Sequence, residues 1–359
     1  MAKMRGVVLV EQGDGKRPGK LVYREDLPVP EPTGKMVRIR TAYTGICGSD
    51  VSYVYGKASV DRNRVLGHET GGLVDAVGPE VATLKPGQRV VVDPVQSDPG
   101  SPWVKRGMGN VDLSSVTGIS YDGGFGEYFL SHEKYTYPLP ADMSFQQAAG
   151  LEPFACGLYA VNNANIQPNE MAVIFGAGPI ANSMCEMAKA KGAGTVVLIG
   201  TRDYRLDAAR GADVRLNTNP TGDTKYPCPD PAAAVKQLNG GELPRSVIVA
   251  TGSARAIEQG WELGGRGSTV VIFGLMADNT TFAHKCQPAL FLDKTLRYSW
   301  LAPNTWPEVM ALVKNKLVRV EDMHTHRCAL KGLAEAVVVQ AERRNNCIKY
   351  LVEVGGDLS

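Results

Sequence analysis

The chain has 359 residues, 43% of them apolar and 21% charged, with a formal net charge of +2. That length accommodates two domains with full hydrophobic cores, and the near-neutral balance argues against nucleic acid or an acidic membrane surface as the main partner. No run of about 18 apolar residues occurs, so no segment reads as a membrane span.

The N-terminal stretch MAKMRGVVLVEQGDG holds an apolar run that stops at Glu11, so it reads as a first strand and not as a signal peptide. Short apolar or alternating pieces (GVVLVE, KLVYRED, MVRIRTAYT) fill residues 5–43, punctuated by Pro28, Pro30, Pro32 and Gly34, and read as strands. Next come GICGSD at 45–50 and GHET at 67–70, two glycine-containing turns that present a thiol, an imidazole and a carboxylate. These are the three side-chain types that bind zinc, carried here by Cys47, His68 and Glu69. GLVDAVG (72–78) and QRVVVDP (88–94) continue the β character, residues 95–120 read as a loop, and 123–140 return to strands. The first portion is therefore expected to be a β-rich, partly barrelled unit.

Near Phe145 the pattern changes. QQAAGLEPFACGLYAVNNA reads as helix, and NEMAVIFGAGPIANSMCEMAKAKGAGTVVLIG alternates strand, helix and strand. PAAAVKQLNGG is a further helix, RSVIVATGS and STVVIFGLM are buried strands of the continuous apolar kind found in parallel sheets, and LRYSW is a last strand. WPEVMALVKNK and LKGLAEAVVVQAERR read as helices before a closing strand, IKYLVEV. The seven cysteines (47, 156, 185, 228, 286, 328, 347) include no CxxC pair, so a disulfide framework is not expected and a reducing cytoplasm is the expected compartment.

Gly176-Ala177-Gly178-Pro179-Ile180-Ala181 follows the strand MAVIF and opens a helix, the setting in which a GxGxxA turn binds a dinucleotide. Gly176 permits the tight turn and Gly178 lets backbone approach a pyrophosphate. Free amides at the helix start that Pro179 and Ile180 open, from Ile180 onward because proline has no N–H, face the phosphates. The next strand, TVVLIG, would end in an acidic residue in an NAD site. It ends instead in Gly200, followed by Thr201, Arg202, Asp203, Tyr204 and Arg205, which leaves room and a guanidinium fork for a 2′-phosphate. NADP is expected over NAD; the alternative pairs the two arginines with Asp203 or Asp207.

The pieces GICGSDV, GHETGGLVDAVG, GQRVVVDP, GGFGEY, LEPFACGLYAV and VIFGAGPIA, in this order, resemble the zinc-dependent medium-chain dehydrogenase/reductase superfamily, on its polyol and threonine dehydrogenase side. The resemblance implies an α/β fold: a Rossmann doubly wound parallel sheet (158–296) plus a β-rich GroES-like catalytic domain (1–157 and 297–359). It implies one catalytic zinc on Cys47, His68 and Glu152, with Glu69 as a further ligand or as a neighbour of the ligands. It also implies Ser49 as the group that takes the substrate proton and Phe273-Gly274 as part of the cofactor site. In many relatives a histidine three residues after this serine continues the relay; Ser52 stands there. Many relatives also carry four cysteines for a structural zinc in the loop that here spans 95–120, and this loop has none, so no structural zinc is expected. Tyr53 is a candidate pocket wall or an ordinary core aromatic, and Lys105 and Arg106 either meet an anionic substrate group or form a solvated face. The other histidines (His132, His284, His324, His326) are read as structural.

The implied activity interconverts a secondary alcohol of polyol, sugar or cyclitol type and its ketone with NADP(H). A zinc-free quinone or enone reductase, a threonine dehydrogenase-like amino-alcohol dehydrogenase and a non-enzymatic nucleotide sensor stand as alternatives. The expected partner is a small alcohol or ketone, with no nucleic acid and no membrane, and a homodimer or homotetramer is implied by resemblance.

Overall fold

The computed structural model describes residues 2–219, 221, 223–356 and 358. Two compact units divide the chain: Met1–Glu152 with Trp306–Lys314 and Arg319–Ser359, and Pro153–Thr305 with Asn315–Val318. The fold is α/β, with a GroES-like β unit and a Rossmann sheet. Among the described residues no helix is long and apolar enough to cross a membrane.

The first unit is built on antiparallel strands. Met36–Gly45 lies at its centre, pairing with Glu69–Val77, Tyr128–His132 and Tyr350–Glu353. The sheet continues outward through Arg89–Val92 to Thr136–Pro138 on one side and to His326–Ala329 on the other. Lys3–Glu11 pairs with Lys20–Pro28 and with Arg64–Val65 in a smaller sheet. Val8, Leu9, Ile46, Val54, Leu66, Phe125 and Leu333 interlock in one core cluster, with Ile46 and Leu66 flanking the two turns singled out above. Their burial fixes the backbone on either side of Cys47 and His68.

The second unit is a six-stranded, wholly parallel sheet. Its order is Val214–Asn217, Thr195–Gly200, Met171–Phe175, Ser246–Val249, Thr269–Ile272, Thr295–Tyr298. In chain order that is 3-2-1-4-5-6, with the reversal between Met171–Phe175 and Ser246–Val249, where a doubly wound sheet binds its ligand. Met184, Met187 and Ala188 of the helix Pro179–Ala190 are fully buried, and Ile180 is partly exposed.

Residues 95–120, read as a plain loop, form a small structured lobe. Val95–Gln96 pairs with Ser115–Val116, a helical turn covers Pro102–Lys105, and Tyr135 Oη donates to the Ser97 carbonyl at 2.6 Å. Ser101 caps that turn and hydrogen-bonds Asp112. Polar side chains from the lobe and its neighbours supply its order.

Candidate metal and cofactor sites

The strand Met36–Gly45 delivers the chain into the helix Gly48–Val54, and Cys47 is its N-cap residue. Asp50, with no exposed surface, ties the two glycine turns together. Its Oδ2 accepts from Cys47 N at 2.8 Å, its Oδ1 accepts from Gly67 N at 3.3 Å, and Oδ1 lies 3.4 Å from His68 Nδ1. Asp50 Oδ1 is in contact with Nδ1 without an aligned hydrogen bond, and a neutral His68 ring with its proton on that side presents Nε2, which lies 3.3 Å from Ser49 Oγ. Glu69 starts the strand paired with Met36–Gly45, in register with Gly45.

The turn at Gly67 is a close crossing of backbone. Gly67 has φ +93°, and a Cβ there would lie 2.8 Å from Phe125 N. Across from it, a Cβ on Gly118 or Gly123 would stand 2.5 Å or 2.1 Å from the Gly67 carbonyl oxygen. Only hydrogen at all three α-carbons permits this approach.

One atom each from Cys47, His68 and Glu69 lies within 4.8 Å of the others. The donor set suits a cation: a thiol, an imidazole and a buried carboxylate whose Oε2 accepts no aligned hydrogen bond. Burial pushes the His68 pKa down, but Asp50 and Cys47 together outweigh it and raise it well above the ordinary value. The same field that favours a proton on this ring favours a metal ion. Glu152, buried in the first turn of the helix Leu151–Asn163, stands outside the three-residue cluster. Its charge is felt by Lys349 and by Asp93, whose carboxyl burial and Glu152 together raise.

Ser52 donates to the Gly48 carbonyl of its own helix at 3.1 Å, which spends its only proton on backbone. Tyr53 is half-buried; burial raises its phenol pKa, and the charges of His68, Asp50 and Cys47 reach it. Arg106 stacks over Trp103 of its own lobe, with 5.5 Å to the ring centroid. Asp50, Asp93 and Lys349 had no assigned role in the sequence. Only the Cys-x-x-Asp spacing, which puts an acid at the third helical position, points to the first of them.

In the parallel sheet, Gly176 has φ +99° and its N–H donates to Ile199 O at 2.9 Å. Gly178 caps the helix that begins with Pro179 and Ile180, and a Cβ on Gly178 would meet nothing within 4 Å, which leaves its face open to a ligand. Phe273 and Gly274, just past Thr269–Ile272, hydrogen-bond the Val249 carbonyl and lie at the same carboxyl edge. A Cβ on Gly200 would meet Ala177 Cβ at 2.9 Å and Leu206 Cδ2 at 3.0 Å, so no acidic side chain fits there without a shift. Thr201 and Arg202 are exposed. Asp203 is taken by Asn217 and Thr224, both at 2.6 Å, and Asp207 by Lys225 and Tyr226. Arg202 is paired with neither acid. Arg205 Nε donates to Tyr204 Oη at 3.0 Å, and its guanidinium lies over that ring.

The chain belongs to the zinc-binding, medium-chain alcohol dehydrogenases, a class of oxidoreductases. Residues 33–141 match the alcohol dehydrogenase GroES-like domain, and residues 179–315 match the zinc-binding dehydrogenase family. Among its relatives, human sorbitol dehydrogenase is 31% identical over 347 residues, covering 93% of this chain and 92% of that protein. D-xylulose reductase of Saccharomyces cerevisiae is 30% identical over 352 residues, covering 94% and 96%. Among solved structures, a putative zinc-binding dehydrogenase from Sinorhizobium meliloti bound to NADP superposes with a TM-score of 0.86 at 25% identity, covering 99% of this chain and 100% of that one. Galactitol-1-phosphate dehydrogenase from Escherichia coli gives 0.85 at 25% identity, covering 98% and 100%.

Proposed function

We propose that this protein interconverts a secondary alcohol of the polyol, sugar or cyclitol type and its ketone, with NADP(H) as the electron carrier and one zinc ion as Lewis acid. The observation that carries this reading is the Cys47–His68–Glu69 cluster with Ser49 Oγ 3.3 Å from His68 Nε2. The relatives named for sorbitol and xylulose favour a polyol over an amino alcohol. A zinc-free quinone or enone reductase would have no use for this cluster.

Bound zinc supplies the charge that acidifies a substrate hydroxyl, and the nicotinamide supplies the hydride acceptor. Cys47, His68 and one or both of Glu69 and Glu152 hold the ion. Asp50 fixes the His68 ring and the Cys47 turn, so both ligands keep their direction without rearranging. Ser49 Oγ receives the hydroxyl proton and hands it to solvent, because Ser52 bonds backbone and offers no titratable relay. In the parallel sheet, Gly176, whose own N–H is held by the Ile199 carbonyl, makes the turn, and Gly178 and the helix it opens bring backbone N–H groups to the pyrophosphate. Thr201, Arg202 and Arg205 take the 2′-phosphate, which is supported by the freedom of Arg202 from Asp203 and Asp207. The seven free cysteines support a reducing compartment such as the cytoplasm.

A homo-oligomer is supported by a cluster of exposed apolar side chains in 275–298. Leu275, Leu290, Phe291 and Tyr298 are 61–76% exposed, and among the described residues the edge strand Thr295–Tyr298 pairs only with Thr269–Ile272. The deciding experiment combines metal analysis of the purified protein, fluorescence titration with NADPH and NADH, and a screen of secondary alcohols and polyols. One zinc per chain, tighter NADPH binding and turnover of a polyol support the reading. Metal-free protein with full activity would refute the Lewis-acid half, and preference for NADH would refute the cofactor half.

A further inference from the structure

Lys349, just ahead of the strand Tyr350–Glu353, is 3% exposed and is aimed at the candidate metal cluster. Its Nζ donates to the Ile46 carbonyl at 3.0 Å and to Glu69 Oε1 at 2.7 Å. Glu69 is 1% exposed, and its Oε2 is also 2.7 Å from the ammonium but accepts no aligned bond from it. Both carboxylate oxygens are thus in ion-pair contact with the lysine, one of them through an aligned hydrogen bond, while the carboxylate also lies beside Cys47 and His68. The seat is made by bare backbone: a Cβ on Gly45 would stand 2.0 Å from Glu69 Oε2 and 3.2 Å from Lys349 Cε.

A buried ammonium is costly unless a negative charge answers it, and one neutral histidine with four anionic groups supplies more than one. With a divalent ion, the Cys47 thiolate and the carboxylates of Asp50, Glu69 and Glu152 leave two negative charges over, and Lys349 cancels one of them. Without a metal, the same lysine already occupies Glu69.

We propose that Lys349 is a positioning residue of the metal centre: it withholds the Glu69 carboxylate from full ligation and so keeps one position open for a substrate oxygen. The inference rests on the metal reading above. Catalytic sites need that open position, whereas a site closed by four protein groups is structural.

The test uses the metal-stripped full-length protein, cobalt(II) as probe, a competing chelator for affinity, and the visible absorption spectrum for the ligand field. In Lys349→Met, Glu69 is released and a like charge is removed. Cobalt is then expected to bind at least about tenfold tighter, with a changed spectrum and a raised KM for the alcohol. Lys349→Arg keeps a cation in place and is expected to restore wild-type affinity and spectrum. The Glu69→Gln, Lys349→Met double variant removes both buried charges, which keeps the test open if the single variant is unstable. It is expected to lie within tenfold of Glu69→Gln alone, the small tightening that remains being the loss of a positive charge near the ion, since the lysine acts mainly through that carboxylate. Equal or weaker cobalt binding by Lys349→Met with an unchanged spectrum overturns the proposal, as does a tenfold difference between Glu69→Gln and the double variant. Failure of the wild-type protein to take up cobalt overturns the metal reading together with this one. A wild-type site that binds cobalt while Lys349→Met changes nothing overturns this one alone.

Discussion

Replacing Asp50 with alanine should damage both the fold and the metal centre, because one carboxylate serves three groups. Two backbone donors, Cys47 N (partly buried) and Gly67 N (buried), lose their acceptor at 2.8 Å and 3.3 Å. A buried donor left unsatisfied costs about 1–3 kcal/mol, so the pair should cost about 2–6 kcal/mol of stability. His68 also loses the neighbour at 3.4 Å that sets its tautomer, and loss of such a partner typically weakens metal affinity about 10–100-fold. Asp50→Asn separates these effects, since the amide keeps one oxygen for one N–H and turns its own N–H₂ toward the other. It should cost about half as much stability while still losing metal affinity. Urea unfolding of the metal-free protein reads the first quantity, and zinc competition with a chromogenic chelator reads the second. A loss below about 1 kcal/mol in Asp50→Ala, with unchanged zinc affinity, would refute the role given to this residue.

Arg202→Ala should weaken NADPH binding about 10–100-fold, the size of a lost charge-assisted phosphate bond, and leave NADH binding unchanged in the same fluorescence titration. Ser49→Ala should lower kcat about 10²–10⁴-fold as a proton-transfer group is lost, whereas Ser49→Thr should retain most of it; equal rates for all three proteins would remove Ser49 from the chemistry. His324 sets a pH dependence of stability. Burial, with Lys349 and Arg327 nearby, lowers its pKa to about 3, and both ring nitrogens are buried without a partner even though part of the ring edge is accessible. Because the unfolded chain takes up this proton near pH 6.5 and the folded one does not, folding stability should fall as pH drops from about 6.5 toward 3. At pH 4.5 the linkage amounts to about 2–3 kcal/mol. His324→Phe should flatten that part of the stability profile, measured by urea unfolding across the range. Phe291→Glu should lower the apparent mass in light scattering if the exposed patch near the edge strand joins subunits.

The strongly apolar stretches read well from sequence. MAVIF, TVVLIG and RSVIVATGS needed only their continuous apolar runs and the glycine turn to be placed side by side, and all three are central strands of the parallel sheet. The helix Ala254–Leu263 escaped notice because its apolar face is thin and interrupted by Gly260. That glycine is a packing device, since a Cβ there would lie 2.4 Å from Val249 Cγ2. The strand Val214–Asn217 has only four residues, too few to show a period. At the site, ligand types on two turns were visible. Lys349 was not, because it reaches Glu69 only through a strand pairing across 280 residues of chain. A buried lysine in a closing strand reads as polar noise until its carboxylate is seen.

The three-glycine crossing at Gly67, Gly118 and Gly123 has a practical consequence for anyone who reshapes this enzyme. A library that randomises residues near His68 in search of a new substrate will find its sharpest losses at positions that carry no functional group. A methyl added at 118 or 123 pushes on the peptide that carries the histidine, so the histidine would move before any pocket wall did. Such variants would be scored as catalytic defects, although nothing chemical was removed. Diversity is better spent on Ile119, partly exposed between the two pinned glycines, than on Ser120, whose Oγ accepts from Val116 N at 2.9 Å and helps hold the loop.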